Sequence, residues 1–297
     1  MRRTSNLSGV AAMLAGTGSF VVCDSFMKLS TADLPPFAVL FLRGVAASFA
    51  CGALVVLLGD GPAISAAIHP RPLLRAAAET ISVLCYIVAL AHMPIADVIA
   101  IIQTAPLILI LAVALLLRER VGAARIALAL VGFAGAFLVA QPGQAGVSLA
   151  VLLAFASAVF GAARDFAGRV VPAHIPVMVV TFTTNVMVTA ASALMSLGFE
   201  TWRAPTVRHL VFLGLAGLFV TLGHVGLLLA YRLGRTAAVA PFFYSFALWA
   251  VLSGLFVFGA LPNALALVGI ALIAGSGVAI VLIDQGRGEE VALPEAL

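Results

Sequence analysis

Ten apolar runs occupy almost the whole of this 297-residue chain. A helix needs about 20 apolar residues to cross the hydrocarbon core of a bilayer, and each run has about that length. The runs cover residues 7–29, 37–58, 73–92, 95–117, 121–140, 147–168, 175–198, 209–231, 237–259 and 264–283. Because the longest connection is about a dozen residues, the pattern predicts a membrane protein without a soluble domain.

The composition and the texture of the runs indicate which kind of membrane protein this is. Hydrophobic residues make up 63% of the chain and charged residues 9%, whereas soluble domains carry about 25% charged residues. The strands of a membrane barrel alternate polar and apolar residues, and these runs do not alternate. Since a helix satisfies its own backbone hydrogen bonds inside lipid, the sequence predicts an all-α integral membrane protein with ten transmembrane helices.

An internal duplication organises the ten runs. The sequence ALALVG of residues 127–132 returns at residues 264–269. Further matches about 140 residues apart join Asp24 to Asp165, Lys28 to Arg169 and Pro36 to Pro176. The chain therefore reads as one five-helix unit written twice.

The duplication predicts the domain boundaries and the topology. We expect a first repeat at 1–142, a second repeat at 143–284 and a short cytoplasmic tail at 285–297. Because each half holds five spans, an odd number, the second half must enter the membrane from the other side. Such a 5+5 inverted-topology repeat recurs among secondary transporters that work by alternating access through a central cavity. The sequence thus predicts a transporter, by analogy of fold.

The basic residues predict the orientation. With the N-terminus inside, twelve of the sixteen Lys and Arg residues lie on the cytoplasmic side: Arg2, Arg3, Arg71, Arg75, Arg118, Arg120, Arg125, Arg164, Arg169, Arg232, Arg235 and Arg287. Lys28, Arg203 and Arg208 fall outside, and Arg43 lies within the second run. Cytoplasmic loops are enriched in such residues, so both termini are expected in the cytoplasm of a bacterial-type inner membrane. The sequence has no basic face interleaved with aromatic residues, so nucleic-acid binding is not expected.

Three short motifs resemble the ten-helix EamA-type branch of the drug/metabolite transporter superfamily. They are the pair Leu42-Arg43, the turn Leu117-Arg118-Glu119-Arg120-Val121, and the segment Val131-Gly132-Phe133-Ala134-Gly135. The resemblance runs from about residue 7 to residue 283 and implies export of small metabolites. Within the superfamily the chain is most similar to exporters of aromatic and other neutral amino acids. Efflux of cationic drugs is the alternative function.

The second half departs from the family pattern, and other functions lack their motifs. Thr183 stands where the repeat would place Arg43, and residues 258–262 read FGALP in place of an acidic turn. Lys28, the only lysine, does not belong to a phosphate-binding loop, so ATP hydrolysis of that kind is excluded. The enzyme motifs His-Glu-x-x-His and Gly-x-Ser-x-Gly are absent from the sequence. A sugar phosphate would require several Lys or Arg residues in the cavity, and such residues are scarce within the predicted spans. We expect no cofactor and a monomer that binds a small molecule within the lipid bilayer.

Glu79 and His224 are candidates for proton coupling. Glu79 lies about six residues into the third run, and His224 precedes the end of the eighth run by seven residues. Both are therefore roughly 10 Å from the cytoplasmic side, and a charge inside a membrane is usually functional. We hypothesise that the two side chains share or relay a proton. In the alternative, Glu79 pairs with Arg75 and His224 binds a neighbouring carbonyl.

A second group of charges lies near the outer side. Asp24, Lys28 and Arg43 are predicted to form an ion-paired cluster that closes an outer gate. In the alternative, Arg43 is an anchor that extends toward the interface and is neutralised by Asp24. Arg164 and Asp165, at the inner end of the sixth run, are interpreted mainly as signals of topology.

The predicted substrate site combines polar groups with aromatic rings, as an amino acid requires. Its residues are Glu79, Ser82 and Tyr86 on the third run, Gln103 and Thr104 on the fourth, His224 and Tyr231 on the eighth, and Phe242, Phe243, Tyr244 and Trp249 on the ninth. Pro106 follows Gln103 and Thr104 and should leave the carbonyl of Ile102 without its helical donor. Pro241 is interpreted as a harmless first-turn proline.

Overall fold

The computed structural model describes residues 6–116, 122–141, 148–172 and 174–286. All regular elements in these ranges are helices, as predicted. The motif at 117–121, residues 142 and 143 at the expected boundary between the halves, and residues 287–297 of the expected tail lie outside the described residues.

The helices begin and end close to the limits of the apolar runs. Their bounds are α1 Asn6–Ser30, α2 Pro36–Leu57, α3 Pro70–His92, α4 Ile95–Ile102, α5 Ala105–Leu116, α6 Ala123–Ala140, α7 Leu149–Gly168, α8 Val177–Phe199, α9 Val207–Leu233, α10 Thr236–Val239, α11 Ser245–Phe258 and α12 Ala264–Gly286. Two 3-10 helices, Gly61–Ile68 and Ala240–Tyr244, complete the described elements.

Ten stretches of the described chain are long and apolar enough to cross a membrane. Each has at least 18 residues and a mean hydropathy between 1.5 and 2.6. Large apolar side chains face outward along them, and Phe49, Leu194, Phe199 and Phe256 are each more than 70% exposed. Such a surface suits lipid, and the ten predicted spans are confirmed.

The fourth and ninth spans are both interrupted within their first halves. α4 ends at Ile102 and α5 begins at Ala105, because Pro106 has no amide hydrogen to donate to the carbonyl of Ile102. In the ninth span, Ala240–Tyr244 forms a 3-10 helix that begins around Pro241. The expectation for Pro106 is confirmed, whereas Pro241 lies in a change of helix geometry that the sequence interpretation missed.

Packing between the two halves follows a matched pattern. α1, the first span, packs against α9, the eighth span, and α7, the sixth span, packs against α3, the third span. The second pairing is the first one shifted by five spans in both members. α2 and α8, the second and seventh spans, also pack against each other. α6 and α12 meet through Gly135 and Gly269, where a Cβ on either residue would collide with the carbonyl oxygen of the other. α4 packs against α11, so the two interrupted spans are neighbours.

Polar contacts between connections identify the two ends of the bundle. At the end where α1 begins, the amino-terminal face, the amide of Arg235 donates to Asn6 Oδ1 at 3.2 Å. At the other end, the opposite face, the side-chain amides of Gln141 and Asn263 exchange hydrogen bonds of 2.8 and 2.9 Å. Each contact joins one half of the chain to the other.

Candidate functional site

A cluster of charges connects α3 to α7 toward the amino-terminal face. Arg164 Nη1 donates to Glu79 Oε2 at 2.7 Å, and Arg164 Nη2 lies 2.8 Å from Asp165 Oδ1. The three side chains, here called the α3–α7 cluster, are only 19–26% exposed. Arg164 is therefore a partner of two carboxylates, and its interpretation as a topology signal stays a prediction. It also replaces Arg75 as the direct partner of Glu79.

His224 lies near this cluster without joining it by a hydrogen bond. Its Nδ1 is 2.8 Å from the carbonyl of Val220, one turn earlier, and its ring meets Phe20 edge-on at 5.1 Å. An electrostatic interaction links it to Glu79, whose hydrogen bond goes instead to Arg164. The carbonyl contact expected in the alternative is thus present, and the proton relay stays a prediction.

A second cluster joins α1, α2 and α3 toward the opposite face. Asp24, Arg43 and Tyr86, here called the three-helix cluster, are 7%, 7% and 8% exposed. Asp24 interacts electrostatically with Arg43, but no ion pair within 4 Å joins them among the described residues. Arg43 Nε is buried without a hydrogen-bond partner, and the Tyr86 hydroxyl interacts with the carboxyl group of Asp24. Arg43 is therefore an interior charge and does not extend toward the interface.

Lys28 is separate from the three-helix cluster. Its Nζ donates to the carbonyls of Leu90 and Met93 at 2.7 and 2.6 Å, at the end of α3. A cation there compensates the carbonyls that end a helix. The expected ion-paired cluster of Asp24, Lys28 and Arg43 is therefore wrong in its geometry, because Lys28 binds carbonyl oxygens. A gating role for these residues stays a prediction.

Predicted polar residues lie at mid-depth, between the two clusters. Ser82 Oγ donates to the carbonyl of Ser157 at 2.9 Å, and Thr104 Oγ1 donates to the carbonyl of Ile101 at 2.7 Å. Gln103 is 3% exposed, and neither atom of its amide has a hydrogen-bond partner. Of these groups, the Gln103 amide is the one whose polar atoms have no partner among the described residues.

The aromatic residues of the ninth span point in different directions. Phe242 is 41% exposed and belongs to the lipid-facing surface. Tyr244 is buried against Gly277 of α12, where a Cβ would collide with its ring. Trp249 lies against Gly18 of α1, and its buried indole nitrogen has no partner. Trp249 is thus the ninth-span aromatic residue with an interior donor to offer.

Phe243 and Tyr231 both lie on the amino-terminal side of the bundle. Both lie against a buried apolar group that includes Met13 and Leu227. Phe243 also contacts Phe246 at 6.4 Å between ring centroids. Their predicted role in substrate binding stays a prediction.

Three residues of α1 make contacts inside the bundle that were not predicted from the sequence. Thr17 shares a hydroxyl contact of 2.8 Å with Ser245, and Ser25 shares one of 2.7 Å with Ser253. Phe20 lies between His224 and Phe246. Both hydroxyl pairs join residues that are 228 positions apart. Because serine and threonine often join membrane helices, this shared spacing between the first and ninth spans could have been noticed in the sequence.

Two cavities lie at the opposite face and share Asp33, Leu34 and Arg203. The larger, about 500 Å³, is also lined by Arg208 and His209, and the smaller is about 280 Å³. None of the predicted substrate-binding residues lines either cavity. His, Cys, Asp and Glu residues of the described ranges form no group of three or more that could hold a metal.

Comparisons with known proteins identify relatives that are transporters. Residues 7–141 match the EamA-like transporter family. A riboflavin transporter of Rhizobium johnstonii is 31% identical over 227 residues, which are 75% of this chain and 73% of that protein. A riboflavin transporter of Vibrio cholerae is 30% identical over 204 residues, 68% of this chain and 67% of that protein. The pseudopaline exporter of Pseudomonas aeruginosa is 28% identical over 284 residues, 94% of this chain and 98% of the exporter.

A solved crystal structure has the same fold. It is 22% identical in sequence and superposes with a TM-score of 0.65 over 93% of this chain and 98% of its own. The ten spans and the relatives agree, and the chain is a multi-pass membrane protein that belongs to the EamA-like transporter family.

Proposed function

We propose that this chain is a secondary transporter that carries a small aromatic metabolite through the centre of the bundle by alternating access. Residues 1–142 and 143–284 act as two inverted-topology repeats, and the solute binds between them at mid-depth. Because the duplication supplies both halves of such a site, a monomer suffices.

The interruptions of the fourth and ninth spans carry the proposal. They occupy similar positions in the sequences of the two halves, and the helices beside them, α4 and α11, pack against each other. Paired interruptions of this kind accompany the substrate sites of many secondary transporters. Gln103 and Trp249 supply unpartnered polar atoms on these two spans, where a buried polar group otherwise costs free energy.

Riboflavin is the first candidate solute. The names of the relatives in Rhizobium johnstonii and Vibrio cholerae support it. Flat aromatic surfaces for a flavin ring come from Phe20, Phe246 and Trp249, since aromatic pairs stack or meet edge-on. Export is the direction named for the pseudopaline relative, and we propose it here with both termini in the cytoplasm.

Aromatic amino acids are the second candidate, favoured by the three-helix cluster. Arg43 has an unpartnered nitrogen, and Asp24 makes no ion pair within 4 Å among the described side chains. These two charges suit the carboxylate and the ammonium of an amino acid. Efflux of a cationic drug is the alternative. Asp24 and Glu79 both have arginine neighbours, whereas Asp97 of α4 has a buried carboxylate oxygen without a hydrogen-bond partner.

Transport by purified protein in liposomes tests the proposal. Labelled riboflavin, phenylalanine and tryptophan are offered in parallel, with and without a pH gradient. We expect saturable uptake of riboflavin that unlabelled riboflavin competes away and that protein-free vesicles lack. Equal uptake with and without the gradient indicates facilitated diffusion. The absence of saturable flux for all three solutes contradicts the proposal.

Orientation is tested separately with reporter fusions. A reporter active only in the cytoplasm is fused after residue 286, and a matched fusion is placed in the connection between α8 and α9. We expect activity at the first position alone. The reverse pattern contradicts the proposed orientation.

A further inference from the structure

Gln103 differs from the other buried polar side chains of the described ranges. It is the one whose buried donor and acceptor, Nε2 and Oε1, both lack a hydrogen-bond partner. Its exposed fraction is 3%, so water in bulk does not satisfy the amide. The residue lies in the turn between α4 and α5, at mid-depth in the bundle.

An amide without partners is unfavourable in the interior of a membrane protein. Buried polar groups are normally hydrogen-bonded, and an unsatisfied one costs free energy. The neighbouring Thr104 shows that local satisfaction is available at this turn, because its hydroxyl donates to the carbonyl of Ile101. A leucine would fill a similar volume at Gln103 without the cost. The amide is therefore placed to meet an occupant.

The geometry of a primary amide specifies what that occupant must offer. Its carbonyl accepts and its NH₂ donates, side by side in one plane. The complementary edge carries an N–H next to a C=O, as cyclic amides and imides do, and glutamine reads the edges of nucleic-acid bases by such paired bonds. A carboxylate offers only acceptors and an ammonium offers only donors, so neither matches both atoms of the amide.

Aromatic groups lie on the two helices, α11 and α1, that pack against α4. Trp249 of α11 has an unpartnered indole N–H. Phe20 of α1 and Phe246 of α11 lie 6.2 Å apart between ring centroids. These helices therefore carry aromatic surface of the kind that a flat ring requires.

We propose that Gln103 recognises the amide or imide edge of a planar heterocyclic solute through two parallel hydrogen bonds. The isoalloxazine ring of a flavin, with N3–H beside its carbonyls, is the solute of this class favoured by the relatives. The inference rests on the proposed function for the mid-depth position of the solute. It adds the chemical group that is recognised and the residue that recognises it.

Binding of two flavins to the purified full-length protein tests the inference. Lumiflavin keeps the N3–H donor, and 3-methyl-lumiflavin replaces it with a methyl group. Flavin fluorescence gives the Kd of each. With the wild-type protein we expect 3-methyl-lumiflavin to bind at least about tenfold more weakly, because a hydrogen bond is lost and the acceptor of Gln103 stays unpaired.

Two substitutions and a matched control assign the discrimination to Gln103. Gln103→Leu and the more flexible Gln103→Met should weaken lumiflavin binding to the level of the methylated flavin. Gln141→Leu removes a glutamine whose amide is already paired with Asn263, and it should leave both Kd values unchanged. The unliganded Tm should stay equal or rise in the Gln103 variants, whereas an amide that holds the helices together predicts a lower Tm.

Each outcome decides the inference. Equal binding of the two flavins to the wild type, discrimination that persists in both Gln103 variants, or no binding of either flavin overturns it. Transport is measured separately as riboflavin flux into proteoliposomes. Flux without discrimination contradicts the inference alone, and discrimination without flux contradicts the transport proposal alone.

Discussion

The α3–α7 cluster and the three-helix cluster contain equivalent aspartates in different surroundings. Asp165 lies 2.8 Å from its neighbour Arg164, which also binds Glu79 at 2.7 Å. Asp24, its counterpart in the repeat, has a cation nearby in Arg43 but no ion pair within 4 Å in the described part of the chain. The charges of the α3–α7 cluster are paired and join two helices, whereas the three-helix cluster retains a buried polar atom without a partner, Arg43 Nε.

The two aspartates therefore match in sequence spacing but differ in their contacts. Removing one partner of a buried ion pair leaves a charge without compensation, so the paired cluster should matter most for folding. A buried polar group without a partner costs free energy and does not stabilise the fold, so the three-helix cluster should matter most for solute movement. Four predictions test this division.

The largest expected effect is that of Arg164→Ala. The substitution leaves Glu79 and Asp165 without their shared cation, and breaking a buried pair costs about 3–5 kcal/mol. Partial exposure of 19–26% places the loss at the lower end of that range. Thermal unfolding in detergent measures it, with Arg169→Ala at the exposed end of the same span as the control. A similar small shift for both variants would show that the pairing is unimportant.

Arg43→Gln should give the opposite pattern. Because Arg43 makes no direct ion pair among the described residues, we expect the Tm to stay close to that of the wild type. Solute uptake should fall by roughly tenfold, the value of about one charge-assisted hydrogen bond. Uptake in proteoliposomes and thermal unfolding are measured on the same preparation. Unchanged uptake with a lowered Tm would place Arg43 among the structural charges.

Glu79→Gln separates pairing from proton coupling. Replacing the carboxylate weakens the bond to Arg164, and we expect a loss of about 1–2 kcal/mol in the free energy of unfolding. The proton-relay hypothesis adds a flatter pH profile of transport, which is measured between about pH 5 and pH 8, with His224→Gln as the companion variant. Wild-type rate and pH dependence in Glu79→Gln would reject the relay.

The smallest expected effect is that of Lys28→Met. The variant loses two hydrogen bonds to the carbonyls of Leu90 and Met93 at the end of α3, but it frees no acid. We expect a destabilisation of about 1 kcal/mol and little change in the Kd of the solute. Lys28→Arg, which can still bind carbonyls, is the control. A marked loss of uptake in Lys28→Met alone would restore Lys28 to the predicted gate.

Much of the secondary structure was predictable because it depends on local composition. The first run, predicted at 7–29, forms α1 from Asn6 to Ser30. Pro106 correctly predicted the interruption after Ile102, since the missing amide hydrogen is a property of one residue. Pro241 did not predict its 3-10 segment, because a proline near the start of a span is compatible with several helix geometries.

The candidate site was predictable as a set of residue types but less so as a set of contacts. The polar residues of the third and fourth spans were identified because they interrupt apolar sequence. The partner of Glu79 was not, because Arg164 lies 85 residues away, and helix rotation decides whether the two meet. Tyr244 illustrates the same limit, since it packs against Gly277 of α12 and its residue type gave no sign of that direction.

The sequence by itself determined the ten spans, because the length and polarity of each segment decide how it partitions into lipid. The tertiary structure decided which charges are paired, that Lys28 binds the carbonyls at the end of α3, and that the amide of Gln103 has no partner. In lipid the hydrophobic effect does not drive helices together, so close packing at small residues such as Gly135 and Gly269 decides how the helices sit against each other. The position of the helices in turn decides which side chains meet. Such packing depends on both halves of the chain at once.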